Sequence, residues 1–244
     1  MRSLKKNAES LCETLSVDLI VADWDGTLRP GFMLKDWLDY LASVKVIEDK
    51  YPHIFDSELH KYKNHQKSYD EFAVAVLDLY AESMVGYEEK KIAAFAARFV
   101  RKDKGNLFDF VMPLIKRAKQ KNVDFVVVSG APGIVLREYA DVLGIKRIFG
   151  VEVATDASGV FKNQFVSNMA GPVAKREVVE QLQAQGHRLT ISLGDTISDA
   201  PLLEAARFPF VISNESRAKT SRLLREIAPI IAPSELMEEL ESIL

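Results

Sequence analysis

Four short runs of apolar residues recur along the chain, and each ends in small or polar residues. They begin at Val17 (VDLIVA), Val123 (VDFVVVSG), Leu189 (LTISLGD) and Phe208 (FPFVIS). The second and third runs follow stretches with the apolar spacing of amphipathic helices. Continuous apolar runs that alternate with helices are typical of strands buried on both faces of a parallel sheet. The pattern therefore predicts an α/β protein with a doubly wound parallel sheet.

Two further segments complete the predicted elements. Residues 151–166 (VEVATDASGVFKNQFV) predict a β-hairpin with its turn at residues 156–159. Residues 3–15 predict a short amphipathic helix before the first strand.

A long segment separates the first predicted strand from the second. Structureless loops become rare above about 12–15 residues, so this segment must fold. Its stretches KDWLDYLASVKVI, SYDEFAVAVLDLYAESMV and YEEKKIAAFAARFVRK place apolar residues at helical spacing. We therefore expect residues 28–105, called the insert below, to form a helical cap over the strand ends. Residues 1–27 and 106–244 would then form the core domain.

Composition narrows the function classes. The 244 residues carry a formal net charge of −3 and contain no long basic run, so a nucleic acid is not an expected partner. Cys12, the single cysteine, excludes an internal disulfide and a cysteine-rich zinc site. His53, His60 and His65 are not spaced as a zinc site requires. The N-terminus has no apolar signal core and no stretch could span a membrane, which predicts a cytoplasmic enzyme without a membrane partner.

Polar residues with catalytic potential follow three of the predicted strands. Asp23 and Asp25 follow the first, Ser129 and Gly130 end the second, and Asp195 follows the third. Ligands of such sheets bind at the carboxyl ends of the strands. Two carboxylates at 4 Å repel by roughly 4 kcal/mol at an effective dielectric of about 20. A proton, a basic partner or a bound cation must therefore stabilise the first pair.

The order of these motifs resembles the haloacid dehalogenase superfamily of phosphohydrolases. Four motifs carry the resemblance, namely DWDGT from Asp23, VVVSG ending at Ser129 and Gly130, Lys175 at the start of a helix, and SLGDTISDAP with Asp195 and Asp199. The large helical insert after the first motif resembles that of the phosphoserine-phosphatase-like branch, in which a helical cap domain (a type-1 cap) is inserted at this point. The last motif departs from the usual pattern, since it lacks the glycine after Asp195.

The resemblance implies a magnesium site and a covalent mechanism. Mg²⁺ would be bound by the side chains of Asp23 and Asp195 and the backbone carbonyl of Asp25, with Asp199 bound to the ion or beside it. Asp23 would attack phosphorus and form an aspartyl-phosphate. Asp25 would protonate the leaving alcohol and later deprotonate the hydrolytic water.

The resemblance also implies a phosphate-binding set. Ser129 and the Gly130 amide would bind the phosphoryl oxygens, and Lys175 would supply a positive charge. Each assignment has a plainer alternative. Ser129 could cap a helix, Lys175 could be a solvated helix residue beside Arg176, and Asp199 could cap the helix that follows it.

The resemblance thus implies a Mg²⁺-dependent phosphomonoester hydrolase that acts on a small phosphorylated metabolite, and we expect a monomer or homodimer. Phosphoserine phosphatases usually carry a glutamate shortly after the first motif, where this chain has Phe32 and Met33. We therefore expect both apolar residues to reach the rim of the site and phosphoserine to be a poor substrate. The alternatives are a phosphoserine phosphatase proper, a phosphotransferase or mutase with the same core, and an inactive binding module.

Overall fold

A seven-stranded sheet forms the centre of the computed structural model, which describes residues 17–213 and 222–244. The strands are β1 Val17–Ala22, β2 Asp124–Pro132, β3 Arg147–Thr155, β4 Phe161–Ser167, β5 His187–Gly194, β6 Phe208–Ile212 and β7 Ile230–Ile231. Their order in the sheet is β4-β3-β2-β1-β5-β6-β7. Only the β3–β4 pair is antiparallel among these strands. The predicted α/β fold is confirmed, and β7 is an additional strand.

Ten α-helices and two short 3-10 helices, Lys104–Asn106 and Ile197–Asp199, accompany this sheet in the described residues. The α-helices are α1 Met33–Ser43, α2 Lys50–Lys63, α3 Tyr69–Met84, α4 Glu89–Asp103, α5 Val111–Gln120, α6 Gly133–Leu143, α7 Pro172–Ala184, α8 Ala200–Ala205, α9 Arg222–Ile227 and α10 Leu236–Leu240. None of these helices combines the length and the apolar character needed to cross a bilayer. The predicted helix at residues 3–15 and Cys12 lie outside the described residues.

Strand β1 is buried on both faces, as its continuous apolar sequence predicts. Leu19 and Val21 pack in one apolar cluster with residues of α7. Ile20 and Ala22 point to the opposite face and join the larger cluster, which includes residues of α5 and α6. Since successive side chains of a strand alternate between faces, a strand covered by helices on both sides must be apolar throughout.

Four helices, α1 to α4, lie within the insert between β1 and β2. Three of them overlap the predicted helical stretches, whereas α2 does not. Its sequence, KYPHIFDSELHKYK, is polar overall and contains Pro52, which suits a first helical turn. Phe55, Leu59 and Tyr62 nevertheless stand at helical spacing, and this weak signal marks the helix. Whether the insert is a separate domain with boundaries at residues 28 and 105 stays a prediction.

The β3–β4 hairpin holds the insert against the sheet. Its turn is the predicted one, with the Gly159 amide donating to the Asp156 carbonyl at 3.0 Å. The Phe161 amide donates to the carbonyl of Tyr87 at 2.9 Å, and the Glu89 amide donates to Gly159 at 2.9 Å. Backbone hydrogen bonds therefore join this hairpin to the connection between α3 and α4.

Candidate active site

A tight turn after β1 positions the first two aspartates. The Asp23 amide donates to the Leu193 carbonyl of β5 at 3.0 Å, which extends the parallel pairing by one residue. The Trp24 carbonyl then accepts hydrogen bonds from three amides that follow it, those of Thr27, Leu28 and Arg29. Gly26 adopts φ +78°, a left-handed conformation that suits glycine. The turn therefore places Asp23 and Asp25 at the carboxyl end of the sheet.

Lys175 is buried between two carboxylates. Its Nζ donates to Asp23 Oδ1 at 2.9 Å and to Asp199 Oδ1. Burial acts against the charge of Lys175, but the Asp199 and Asp23 carboxylates more than compensate, so its pKa is raised. Burial raises the pKa of Asp23 although Lys175 opposes that shift. Arg176 is exposed and lies 3.6 Å from Glu204, so Lys175 is the residue that enters the site.

Asp199 organises the loop that carries Asp195. Its Oδ2 accepts hydrogen bonds from the Asp195 amide at 3.0 Å and from the Thr196 amide and hydroxyl at 2.9 and 3.0 Å. It makes no side-chain cap for α8, so that alternative is wrong. A Cβ on Gly194 would lie 2.5 Å from the Asp199 Cβ, so this close packing requires glycine.

The unusual residue after Asp195 is accommodated without strain. Thr196 has φ −129° and ψ 167°, an extended conformation open to any residue. Its hydroxyl also contributes to the hydrogen bonds that hold Asp199. The missing glycine therefore leaves both acids of this loop in place.

Three carboxylates could hold a metal ion together. One oxygen from each of Asp23, Asp195 and Asp199 lies within 4.8 Å of the other two. This is the only such group of three potential ligands among the residues with described positions, and no histidine belongs to it. An all-oxygen, anionic donor set fits a hard cation such as Mg²⁺. The Thr27 hydroxyl contacts Asp195 Oδ1 at 3.5 Å.

Asp25 has an environment that favours its protonated form. Its Oδ1 accepts a hydrogen bond from the Met33 amide at 2.9 Å. Burial, followed by the charge of Asp23, raises the pKa of Asp25 to about 8. A carboxyl group that keeps its proton near neutral pH can donate it to a leaving group.

The side chains of Phe32 and Met33 lie in different surroundings. Phe32 lines the cavity described below, as expected. The Met33 side chain is fully buried in the core and does not line that cavity, so its predicted position at the rim is wrong. The reason is that α1 begins at Met33, which turns its amide toward Asp25 and its side chain into the apolar cluster.

Ser129 and Gly130 lie where β2 approaches α6. The Ser129 hydroxyl accepts a hydrogen bond from the Ala131 amide at 3.3 Å. Helix α6 begins at Gly133 after Pro132, so Ser129 is not its cap. A Cβ on Gly130 would lie 3.0 Å from the Ala170 Cα, which leaves little space for a side chain there.

A cavity of about 500 Å³ opens above these groups. Its sheet end is lined by the polar residues predicted for catalysis and phosphate binding, namely Asp23, Asp25, Ser129, Gly130, Lys175 and Asp195. Asp199 is fully buried and lies behind this surface. The part of the cavity lined by side chains of α1, α2 and α3, called the insert end below, is mostly apolar.

Several residues of this site escape sequence analysis. Tyr62, Lys63 and Tyr69 line the cavity from the insert. The pKa of Tyr69 is raised by burial and is influenced by the charges of Lys175 and Asp23, so the phenol lies in the electrostatic field of the catalytic groups. The available signal was the capping box formed by Ser68 and Glu71, which fixes Tyr69 as the first residue of α3.

A buried ionic network beside the cavity also escapes prediction. Arg29 donates to both oxygens of Asp103 at 2.7 Å and to Asp36 at 2.6 Å. The Tyr139 hydroxyl also donates to Asp103. The network thus links the start and the end of the insert to the core helix α6.

Comparisons with known proteins relate the chain to one group of hydrolases. The family model described as haloacid dehalogenase-like hydrolase matches residues 20–204. A probable cation-transporting ATPase of Haemophilus influenzae is 29% identical over 132 residues. That match covers 54% of this chain and 15% of the ATPase, so the chain spans a small part of that relative.

Solved structures share the fold. A protein with unknown function from Bordetella pertussis Tohama I has a TM-score of 0.71 at 18% identity, covering 88% of this chain and 99% of that chain. A substrate-bound phosphoserine phosphatase has a TM-score of 0.64 at 15% identity, covering 94% of this chain and 99% of that chain. At these identities, the likeness concerns the fold.

Proposed function

The chain belongs to the haloacid dehalogenase-like hydrolases, and on this premise we propose that it is a Mg²⁺-dependent phosphomonoester hydrolase acting on a small phosphorylated metabolite. One observation carries the proposal. Lys175 lies between Asp23 and Asp199 and lines the cavity. Asp25 and Asp195 line the same cavity. A nucleophile, a proton donor and a cation thus face one space, as phosphoryl transfer requires.

Asp23 would act as the nucleophile. Lys175 binds its Oδ1, which leaves Oδ2 as the attacking oxygen. Attack forms an Asp23–phosphorus bond as the bond from phosphorus to the alcohol oxygen breaks, and Asp25 donates its proton to that oxygen. Asp25 then takes a proton from water as the water oxygen attacks phosphorus and the bond between phosphorus and the Asp23 oxygen breaks. Inorganic phosphate leaves, and both side chains return to their starting states.

The remaining residues would bind the phosphoryl oxygens. Ser129 supplies a hydroxyl, Gly130 supplies an amide, and Lys175 supplies positive charge, and all three line the cavity. Asp23 and Asp195, with Asp199 and the Asp25 carbonyl as further candidates, would hold Mg²⁺, which neutralises negative charge on the carboxylates and the substrate phosphate.

The same groups would serve a phosphotransferase or a mutase, and analysis of the acceptor separates these reactions from hydrolysis. A phosphoserine phosphatase proper is less well supported because Phe32 lines the cavity where such an enzyme usually has a glutamate. The retained acids and Lys175 argue against an inactive binding module. A cytoplasmic location and a monomeric or homodimeric state remain part of the proposal.

The test is a screen of the purified protein against phosphomonoesters, with Mg²⁺ and with a chelator. Asp23→Asn should lower turnover by more than about 100-fold, because an amide is a poor nucleophile and changes little volume. Asp18→Asn is the matched control, since Asp18 pairs with Arg188 at the far end of β1. Undiminished turnover after exhaustive chelation would overturn the metal dependence. Full activity of Asp23→Asn would overturn the covalent mechanism.

A further inference from the structure

The insert side of the cavity has no task in the proposed phosphoryl chemistry. The groups that handle phosphate, Asp23, Ser129 and Lys175, all lie at the sheet end. A cavity of about 500 Å³ exceeds the space that a phosphoryl group needs. The insert end must therefore receive the alcohol portion of the substrate.

Five aromatic rings form a continuous wall that the insert contributes to the cavity, and the wall approaches the catalytic groups at Tyr69. Phe32, Phe55 and Phe72 contact one another with ring centroids 5.7–6.3 Å apart. Tyr62 stacks on Phe72 at 5.2 Å, and Tyr69 meets Tyr62 edge-on at 5.9 Å. Rings that pack on one another lose little conformational freedom when a ligand binds, so the wall is preorganised for an apolar partner.

The charges of the cavity oppose a cationic substrate group at this end. Its acidic lining residues in the described part of the chain are Asp23, Asp25 and Asp195, which all belong to the sheet end. A substrate ammonium would therefore be desolvated without a counter-ion. Lys63 lines the insert end, is exposed, and makes no ion pair with any residue that the structure describes. Its charge would repel a cation further.

We propose that the substrate is the phosphomonoester of an apolar, ring-bearing alcohol without positive charge. This inference rests on the proposed phosphatase function and names the substrate class of the same site. The aromatic wall takes the ring, and Lys63 at the edge of the cavity tolerates a neutral or anionic substituent.

The direct test compares five phosphates of primary alcohols. They are 2-phenylethyl phosphate, ethyl phosphate, phosphoethanolamine, phosphocholine and phosphoserine. We expect kcat/KM for 2-phenylethyl phosphate to exceed that for ethyl phosphate by about 10- to 200-fold, and that for the three amino-bearing compounds by at least about 100-fold. A preference for phosphoserine, phosphoethanolamine or phosphocholine would overturn the inference.

A binding measurement separates this inference from the proposed function. Calorimetry with 2-phenylethyl phosphonate and ethyl phosphonate reports recognition of the organic group without turnover. If no phosphate is hydrolysed but the phenyl compound binds more tightly, the proposed function fails and the inference about the wall survives. Hydrolysis of all five phosphates at similar kcat/KM would support the proposed function and overturn the inference about the wall.

Variants locate the preference in the wall. Phe32→Glu should raise relative kcat/KM for phosphoserine and phosphoethanolamine by about 10- to 100-fold, because it gives the ammonium a counter-ion, with Mg²⁺ dependence unchanged. Lys63→Glu should act in the same direction, and it removes no buried contact because Lys63 is exposed. Phe99→Leu is the control, since Phe99 packs on Trp37 and Tyr40 in the insert and does not line the cavity. Unchanged ratios in both glutamate variants, or an equal shift in the control, would refute the assignment.

Discussion

Removal of the Asp103 charge from its buried ion pair with Arg29 should strongly destabilise the fold, because it leaves the Arg29 charge partly uncompensated. Asp103 accepts two hydrogen bonds from Arg29, one from Asn106 at 2.7 Å and one from Tyr139. The exposed fractions of Arg29 and Asp103 are 2% and 7%. Asp103→Asn keeps the volume of the side chain but removes its charge. The new NH2 group also replaces an acceptor oxygen, so it would face a hydrogen-bond donor. Breaking a buried pair costs about 3–5 kcal/mol. We expect about 3 kcal/mol, because Arg29 keeps its contact with Asp36.

The assay is thermal and urea unfolding of the wild type and two variants. A loss of about 3 kcal/mol should lower Tm by about 6–12 °C for a chain of this size. Asp39→Asn is the matched control because its i,i+4 pair with Lys35 is partly exposed, and it should cost no more than about 1 kcal/mol. Equal losses in the two variants would refute the reasoning.

The same pair has a defined pH dependence. Burial alone would raise the pKa of Asp103, but hydrogen bonds from Arg29 and Tyr139 outweigh it and hold the pKa below its usual 3.8. The group therefore contributes stability that is fully present above the unfolded pKa and is lost as the pH falls through the lower folded pKa. The stability difference between wild type and Asp103→Asn should be constant between about pH 7 and 5 and shrink below about pH 4. A difference that shrank between pH 7 and 5 would contradict the assignment.

Two further predictions concern the catalytic groups. Asp25→Asn should lower kcat by about 10²- to 10⁴-fold for alkyl phosphates and by less for aryl phosphates, whose leaving groups need less protonation; equal losses with unchanged metal affinity would contradict the assigned role. Lys175→Met should lower kcat/KM by about 10²- to 10³-fold, whereas Arg176→Met should stay within about twofold because Arg176 is exposed. Similar losses in the two methionine variants would argue against a role for Lys175 at the phosphoryl group.

The core of the fold is predictable because its strands carry a strong local signal. A strand buried on both faces must be apolar throughout, as Leu19 and Ile20 illustrate, and helices with one buried face show their spacing. Helix α2 gives a weaker signal because most of its residues are polar. Its identity comes from tertiary packing, in which Phe55 contacts Phe32 and Phe72 from other elements. Local patterning cannot supply such contacts.

The candidate site also has features that the sequence predicts and features that it does not. Asp23, Ser129 and Asp195 could be predicted because they stand at the ends of predicted strands, whereas Lys175 was identified through the resemblance to the haloacid dehalogenase superfamily. The structure brings all four to one cavity. Side-chain direction could not be predicted. Neighbouring residues at the start of a helix point in different directions, so Phe32 faces the cavity while the next residue is buried in the core.

Adjacent carboxylates can be stabilised by a proton, a basic partner or a bound cation, and this site has groups suited to each. A raised pKa lets Asp25 keep a proton near neutral pH, and Lys175 pairs with Asp23 and Asp199. Asp195 adds a third carboxyl group, and one oxygen from each of Asp23, Asp195 and Asp199 lies within 4.8 Å of the other two. A substrate phosphate bound beside these carboxyl groups would bring further negative charge. A divalent cation with oxygen ligands is the third way to stabilise such a group, and it is the one that the proposed phosphatase would use.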